Sequence, residues 1–294
     1  MNLKKAEIMT AMVTPFAEDG TISYPLLGKL IDYLLDNGTQ GILVSGTTGE
    51  APTLTEEEKL ALITETVKLV KGRVPIIAGT GSNSTQATID YTNKVAKIKG
   101  IDAALVVVPY YNKPDQAGMI AHFTAVADQS ALPLFIYNIP GRTGVVMEVA
   151  TIAELAQHPN IIGIKDCTGN VNLSQIIAET PDDFLVYTGE DADALAAKTL
   201  GGQGVISVAA HLYGNDLNKM YQAVEDGKYQ EAGSIMRSLT PKMAAVFSAP
   251  SPSPVKAALN HLGIEVGGCR LPILPLNEKQ TNELLQRLNL QKER

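Results

Sequence analysis

Short apolar runs recur along the chain at intervals that leave room for a helix between them. Ile8 to Thr14, Gly41 to Val44, Val74 to Ala78, Ala103 to Val108, Leu134 to Tyr137, Ile161 to Lys165, Phe184 to Tyr187 and Gly204 to Val208 are each nearly continuous in apolar residues. Runs of that length and character read as strands buried on both faces. The stretches between them carry the helical period. Leu26, Leu27, Leu30, Ile31, Leu34 and Leu35 fall on one stripe, with Ser23 placed to cap the helix and Gly38 to end it. Thr55-Glu56-Glu57-Glu58 is a capping box with acids in the first turn. The helix it opens carries Leu60, Ile63, Val67 and Val70 before Gly72, and the helix after the third strand ends near Gly100.

Eight such strands alternating with helices predict an α/β fold, a closed parallel (β/α)8 barrel of the TIM type. An open doubly wound sheet has fewer strands and a glycine-rich fingerprint after the first, and no G-x-G-x-x-G stands there. From about Asn215 onward no further strand is evident. Asp216–Glu225, Tyr229–Phe247, Pro254–Leu262 and Asn277–Leu290 read as helices. The expected organisation is a barrel over residues 1–214 that carries the active site, and a C-terminal helical extension over 215–294 packed on it.

Composition narrows the function only by exclusion. The 294 residues are 45% hydrophobic and 19% charged, with a formal net charge of −7, which suits a globular protein with a sizeable core. Nothing in that balance invites nucleic acid or an anionic membrane. Cys167 and Cys269 are too few for a disulfide framework, and His122, His158, His211 and His261 are scattered without metal-ligand spacing, so no metal is expected. Lys4 and Lys5 are not followed by a long apolar stretch of the kind a leader needs. Ala103–Val108 is too short to span a bilayer. These features predict a cytoplasmic protein.

In such barrels chemistry sits where strands end and βα loops begin. Those places hold Ser45-Gly46-Thr47-Thr48-Gly49-Glu50, Pro109-Tyr110-Tyr111-Asn112, Tyr137-Asn138-Ile139-Pro140-Gly141-Arg142-Thr143, Lys165-Asp166, Thr188-Gly189-Glu190-Asp191 and Ser207. One strand-end lysine, several phenols and hydroxyls, one arginine and no metal ligands fit imine chemistry. A lysine amine attacks a carbonyl only when neutral, which costs about 4–5 kcal/mol at pH 7, and burial in an apolar strand end is expected to lower that cost. The imine is its own electron sink, so a 2-oxo acid becomes an enamine and no cofactor is needed. Tyr137 can relay protons through a hydroxyl such as Thr48. The glycines around Thr47 and Thr48 expose backbone N–H groups that can hold a small carboxylate, and Arg142 can grip a second one as a fork.

Each feature also has a plainer reading. Lys165 could snorkel to the surface or pair with Asp166; Gly46 to Gly49 could be only a tight turn. Tyr110 and Tyr111 could pack the barrel rim, and Arg142 could be a surface residue in a Pro-Gly turn. Their coincidence at one end of one barrel favours the chemical reading.

The motifs Gly46-Thr47-Thr48-Gly49-Glu50, Pro109-Tyr110-Tyr111-Asn112, Tyr137 to Thr143 and Lys165-Asp166 resemble those of the dihydrodipicolinate synthase (4-hydroxy-tetrahydrodipicolinate synthase) family. The similarity continues through Gly201-Gly202-Gln203-Gly204-Val205-Ile206-Ser207 and Arg270-Leu271-Pro272. The first two motifs mark a wider superfamily of pyruvate-dependent lyases, including N-acetylneuraminate lyase and 2-keto-3-deoxy sugar acid aldolases; Gly141-Arg142-Thr143 is the discriminating element. The resemblance implies that Lys165 forms a Schiff base with pyruvate, that Tyr137 positions the imine and passes protons, and that Thr48 relays between Tyr137 and Tyr111, the latter from a neighbouring subunit. It implies that Thr47 and Thr48 hold the pyruvate carboxylate, that Arg142 receives the carboxylate of L-aspartate 4-semialdehyde, and that Gly189 and Ile206 line the site through their backbone. The product would be 4-hydroxy-tetrahydrodipicolinate, on the way to diaminopimelate and lysine, and the assembly a homotetramer built as a dimer of dimers.

The chain departs from the family pattern at Ala51, where serine is frequent, at Gly189-Glu190-Asp191, where Gly-Asp-Asp is common, and at Ser251. The positions matching the lysine-inhibition site of sensitive members read Ala51, Glu56, Lys59, Asn83, Ala87 and Tyr110. Only Asn83 and Tyr110 keep the sensitive residue, so weak or absent inhibition by lysine is expected. The rivals are a retro-aldol lyase acting on keto-deoxy sugar acids or N-acetylneuraminate, and a non-catalytic barrel that binds a 2-oxo acid.

Overall fold

The computed structural model describes residues 3–290. Met1 and Asn2, part of the stretch read above for a leader, and residues 291–294 of the extension lie outside them. Eight strands follow one another in chain order around a closed barrel: β1 (Ile8–Ala11), β2 (Gly41–Val44), β3 (Ile76–Gly79), β4 (Ala103–Val107), β5 (Leu134–Asn138), β6 (Ile161–Asp166), β7 (Leu185–Thr188) and β8 (Gly204–Ser207). The (β/α)8 architecture read from the apolar runs is the one observed. The third strand starts two residues later than expected. Pro75 has no N–H to give a ladder, and the pairing begins at Ile76, whose N–H is taken by Asp102 Oδ2 at 2.9 Å.

The chain divides into two compact units. One comprises the residues up to Glu7 and Gly72–Ile206, with β3 to β8. The helices in it are α3 (Thr85–Val95), α4 (Gln116–Gln129), α5 (Pro140–Thr143), α6 (Val149–Leu155), α7 (Asn170–Glu179) and α8 (Ala194–Thr199). Its N-terminal segment is tied to the last two strands. The Tyr187 hydroxyl donates to the Ala6 carbonyl at 2.6 Å, the Val205 N–H to the Glu7 carbonyl at 2.9 Å, and Lys198 pairs with Glu7.

The other unit comprises Ile8–Lys71 and the chain from Ser207 onward. It holds β1, β2, α1 (Tyr24–Asp36), α2 (Glu56–Val70), α9 (Ala210–Glu225), α10 (Tyr229–Ala245), α11 (Ser253–His261) and α12 (Glu278–Leu288). The sequence pattern needs local correction here. Ser23 stands at the N-cap of α1, but its side chain makes no capping bond; Pro25 supplies the helical start instead. Leu27, Leu30, Ile31 and Leu34 are the buried members of the expected stripe. Thr55 and Glu58 do form the reciprocal capping box of α2, whereas the buried face is Leu62, Ile63, Thr66 and Val70 rather than one centred on Leu60 and Val67. Thr66 joins that face because its hydroxyl donates to the Leu62 carbonyl at 2.8 Å. Helix α9 begins six residues before the expected start, with a kink at Tyr213. Gly214 lies inside this helix, where a β-carbon would sit 2.2 Å from the Asn37 carbonyl oxygen. The buried His211 accepts the Val13 N–H on Nε2 (3.1 Å) and gives Nδ1–H to the Val208 carbonyl (2.8 Å); burial drops its pKa to about 4, so it is a neutral strut.

Candidate active site

Strand β6 reaches its partner β5 in register Leu134 opposite Ile161, and then a one-residue irregularity intervenes, so that Phe135 faces Gly163. One extra residue in a strand exchanges its two faces. Here it sets Lys165 opposite Tyr137 and Asp166 opposite Asn138. The consequence is a division of labour between faces. The Lys165 ammonium stands 4.5 Å from the centroid of the Tyr137 ring, and both residues are more than nine-tenths buried. On the other face Asn138 donates from Nδ2 to Asp166 Oδ1 at 2.9 Å, and Asp166 also takes the N–H and hydroxyl of Thr168. Asp166 is thereby occupied by Asn138 and Thr168, which removes the plain reading in which Lys165 is neutralised by its sequence neighbour.

Asn138 also fixes the loop that follows β5. Its side chain donates to the Met147 carbonyl at 3.0 Å and accepts the Met147 N–H at 3.1 Å. The short turn of α5 between these anchors carries Arg142, whose side chain is exposed and has no hydrogen bond or ion pair among the described residues. Tyr111 approaches the same turn: its N–H reaches the Thr143 carbonyl at 3.4 Å. Its backbone is left-handed at φ 73° and its side chain 87% exposed, while Tyr110 is 40% exposed. A left-handed backbone is uncommon for a bulky non-glycine residue.

The electrostatics of Lys165 correct the sequence argument. Burial does push its pKa down, but Tyr137, Cys167, Asp191 and Glu190 push it up and prevail, so the group stands above its ordinary value. Burial was expected to make the amine cheap to deprotonate; in the structure the acidic groups around it hold the proton. Gly189 is open for the same lysine. A β-carbon there would sit 2.4 Å from Cys167 Sγ and 2.6 Å from Lys165 Cε. The Gly189 N–H is bound to the Asp166 carbonyl at 2.7 Å, and Ile206, in β8, is fully buried.

In the other unit Thr47 and Thr48 lie in the turn after β2. The turn is closed by Glu50 N–H to the Thr47 carbonyl (3.0 Å) and Ala51 N–H to the Gly46 carbonyl (3.3 Å), and Thr14 donates its hydroxyl to the Gly49 carbonyl at 2.6 Å. Thr48 is buried and Thr47 half-buried. The residue ending this motif has a role that sequence reasoning missed. Glu50, buried at φ 57°, pairs through Oε1 with Lys256 Nζ at 2.7 Å and takes the Arg270 N–H on Oε2 at 2.8 Å. Lys256 gives a further bond to the Gly268 carbonyl (2.6 Å) and lies 4.2 Å from the Phe16 ring centroid. Arg270 forks onto Glu58 at 2.6 and 2.7 Å. No signal in the sequence marks this role, since the left-handed backbone of Glu50 is visible only in the structure.

Among the described residues no three His, Cys, Asp or Glu side chains gather as a metal site would require, and both cysteines are free. No helix among them is long and apolar enough to cross a membrane.

Comparison with known proteins agrees with this geometry. The model of the dihydrodipicolinate synthetase family matches residues 4–291. The chain is 65% identical to 4-hydroxy-tetrahydrodipicolinate synthase of Ligilactobacillus salivarius over 290 residues, covering 99% of this chain and 100% of that one. Among solved structures it resembles a dihydrodipicolinate synthase of Bacillus anthracis (TM-score 0.95, 45% identity, 98% and 99% of the two chains). It also resembles the enzyme of Cyanidioschyzon merolae with lysine bound (TM-score 0.93, 39% identity, 99% and 100%). Fold, strand-end motifs and near-complete coverage converge: the chain is a lyase-type enzyme and belongs to the dihydrodipicolinate synthetase family.

Proposed function

We propose that the protein condenses pyruvate with L-aspartate 4-semialdehyde through an imine on Lys165, giving 4-hydroxy-tetrahydrodipicolinate. The observation that carries this reading is the buried Lys165 amine, which has no hydrogen-bond acceptor or ion-pair partner among the described residues and lies against the Tyr137 ring. The amine attacks C2 of pyruvate and water leaves. Loss of a methyl proton turns the iminium into an enamine, and its carbon attacks the aldehyde. The amino group of the second substrate then closes the ring and displaces Lys165. Because the acids around Lys165 hold its proton, a local base has to remove it, and Tyr137 is adjacent. The imine serves as electron sink, so the scheme uses no resident cofactor.

The same reading gives Thr47 and Thr48 to the pyruvate carboxylate, Thr48 and Tyr111 to the proton relay with Tyr137, and Gly189 and Ile206 to backbone contacts with substrate. Arg142 takes the carboxylate of the semialdehyde; its unpaired guanidinium suits a second substrate that carries a carboxylate better than a neutral sugar aldehyde. The exposed, left-handed Tyr111 supports a homotetramer in which a neighbouring subunit covers it. Glu56, Lys59 and Ala87 at the positions matching the lysine site support weak inhibition by lysine, checked by the rate at about 1 mM lysine, where a fall by half or more would contradict it.

The deciding assay is the initial rate with both substrates, coupled to a nicotinamide-dependent reductase that consumes the product, with Lys165→Ala alongside. A rate that needs both substrates and vanishes in the variant is expected. Borohydride-trapped pyruvate on Lys165 without that rate would move the assignment to the sugar-acid aldolases. Neither rate nor adduct would leave a binding barrel.

A further inference from the structure

Asn138 ends β5 directly after Tyr137 and is fully buried, yet the scheme above gives it no part. Its carboxamide is engaged on two other segments. Oδ1 accepts the Met147 N–H at 3.1 Å, while Nδ2 donates to the Met147 carbonyl at 3.0 Å and to Asp166 Oδ1 at 2.9 Å. A carboxamide offers an acceptor and two donors in one plane, so it can pair with both backbone groups of one residue and still reach a carboxylate. The Asn138 backbone carbonyl takes the Cys167 N–H at 2.9 Å, and Asp166 is fixed in turn by the N–H and hydroxyl of Thr168. The loop 139–146 is thus closed on one side chain, and that side chain is tied to the residue after Lys165. A second amide holds the loop from outside. Gln116, the first residue of α4, donates to the Val146 carbonyl at 2.9 Å and accepts the Glu148 N–H at 3.1 Å and the Thr151 hydroxyl at 2.8 Å. Arg142 stands between these anchors, on the turn of α5.

We infer that Asn138, seconded by Gln116, is a positioning residue, which sets the place of Arg142 relative to Lys165 and so selects an aldehyde that carries a carboxylate. The inference rests on the proposed condensation, in which Lys165 holds the nucleophile and Arg142 the carboxylate of its partner. Bond formation needs the reacting carbons about 3–3.5 Å apart and aligned. An arginine on a loop gives that precision only when the loop is held to the strand that carries the lysine. Asn138 supplies the hold, because its two amide protons bridge loop and strand directly. Imine formation on Lys165 requires neither Arg142 nor its loop. Asp166 also keeps both Thr168 bonds when Asn138 is shortened, so the end of β6 stays in place. The loss of Asn138 therefore falls on the second substrate and spares the first.

The test sets two readouts against each other. One is the rate of borohydride trapping of pyruvate, followed by intact mass. The other is kcat and KM for L-aspartate 4-semialdehyde at saturating pyruvate, in the reductase-coupled assay. Asn138→Ala should trap pyruvate within about twofold of the wild type while its kcat/KM for the semialdehyde falls roughly a hundredfold, the effect of about 1 Å of misplacement. Gln116→Leu should show the same split with a smaller loss. The double variant Asn138→Ala with Arg142→Ala should match Arg142→Ala alone, since a residue that acts through the arginine then has nothing to position. Trapping and condensation that fall together in a folded variant overturn the inference, because a merely structural role gives that result. Unchanged semialdehyde kinetics overturn it too, as do losses that add to that of Arg142→Ala. Gln116 is only half-buried, so Gln116→Leu, alone and with Arg142→Ala, decides by the same criteria if Asn138→Ala does not fold. Wild-type protein that traps pyruvate but does not turn over the semialdehyde removes the proposed condensation itself, and wild-type protein that traps none removes the imine.

Discussion

Two lysines among the described residues are almost wholly buried, and they are handled in opposite ways. Lys256, on α11, is satisfied: a carboxylate at 2.7 Å, a carbonyl at 2.6 Å and an aromatic face. Burial pulls its pKa down and Glu50 pulls it back. Lys165, on β6, has a ring below it and acids around it, but no bond to its nitrogen among the described residues. A buried cation without a bonded partner is expensive. A fold that leaves one lysine without a bonded partner while elsewhere surrounding another with partners fits the proposal that the first is the reactive group. Burial is common to both lysines, and it is the missing partner that distinguishes them.

The largest effect should come from removing the reactive amine. Lys165→Ala should lower the condensation rate at least about a thousandfold, since the covalent route is lost, and should abolish the borohydride adduct. Its thermal midpoint should fall only modestly, because the acids that favour the Lys165 charge lose their cation but no hydrogen bond or ion pair is broken. A large drop in stability would show that Lys165 is caged after all. Lys256→Met should behave in the opposite way. Stranding Glu50 without its cation should cost about 3–5 kcal/mol, seen as a lower urea midpoint, while the folded fraction still traps pyruvate. If Lys256→Met kept full stability but lost the adduct, the two lysines would have been assigned the wrong way round.

How much of this contrast could be read from the chain follows from which interactions are local. The strands, the barrel and the strand-end position of Lys165 come from apolar runs and short spacings, and these are legible. The α2 capping box is legible too, since Thr55 and Glu58 are three residues apart. The cage around Lys256 is not, because Glu50 and Lys256 are joined only by the fold, as are Glu58 and Arg270. The buried face of α2 is legible only in part: Ile63 and Val70 lie on it as the pattern predicts, but a threonine can be buried when its hydroxyl returns to the preceding turn. The sign of the Lys165 shift was misjudged because burial can be read from an apolar strand, whereas the charges of Glu190 and Asp191 beside it come from the next strand's loop.

Gly189→Ala probes the open side of Lys165 with a single methyl group. The added carbon would collide with Cys167 Sγ and Lys165 Cε, and the lysine has to swing out of line with its substrate. A misplacement of about 1 Å is enough for a roughly hundredfold loss in kcat/KM. The loss should fall on adduct formation, with stability little changed; a fully active variant would show that Lys165 needs no space there.

The smallest effect belongs to the periphery of the Lys256 cage, where Arg270 ties Glu58 into the network that also holds Glu50. The Arg270 fork lowers the Glu58 carboxyl from its usual 4.5 to about 2. A carboxyl whose pKa is depressed on folding contributes stability that is fully present above the unfolded value and is lost as pH falls through the folded one. The window is therefore from about pH 4.5 down to about pH 2. The pair is partly exposed, so solvent screening reduces its contribution to about 1–2 kcal/mol. Urea unfolding of the wild type and of Glu58→Gln at pH 7 and pH 3 should show a difference at pH 7 that has narrowed at pH 3, inside that window. Equal separation at both values would mean that Arg270 is held by its carbonyl partners, Gly20 and Thr53, and that the cage ends at Glu50. A narrowed difference would extend it to Glu58, and the satisfied lysine would then sit within a network reaching from α11 to the capping box of α2.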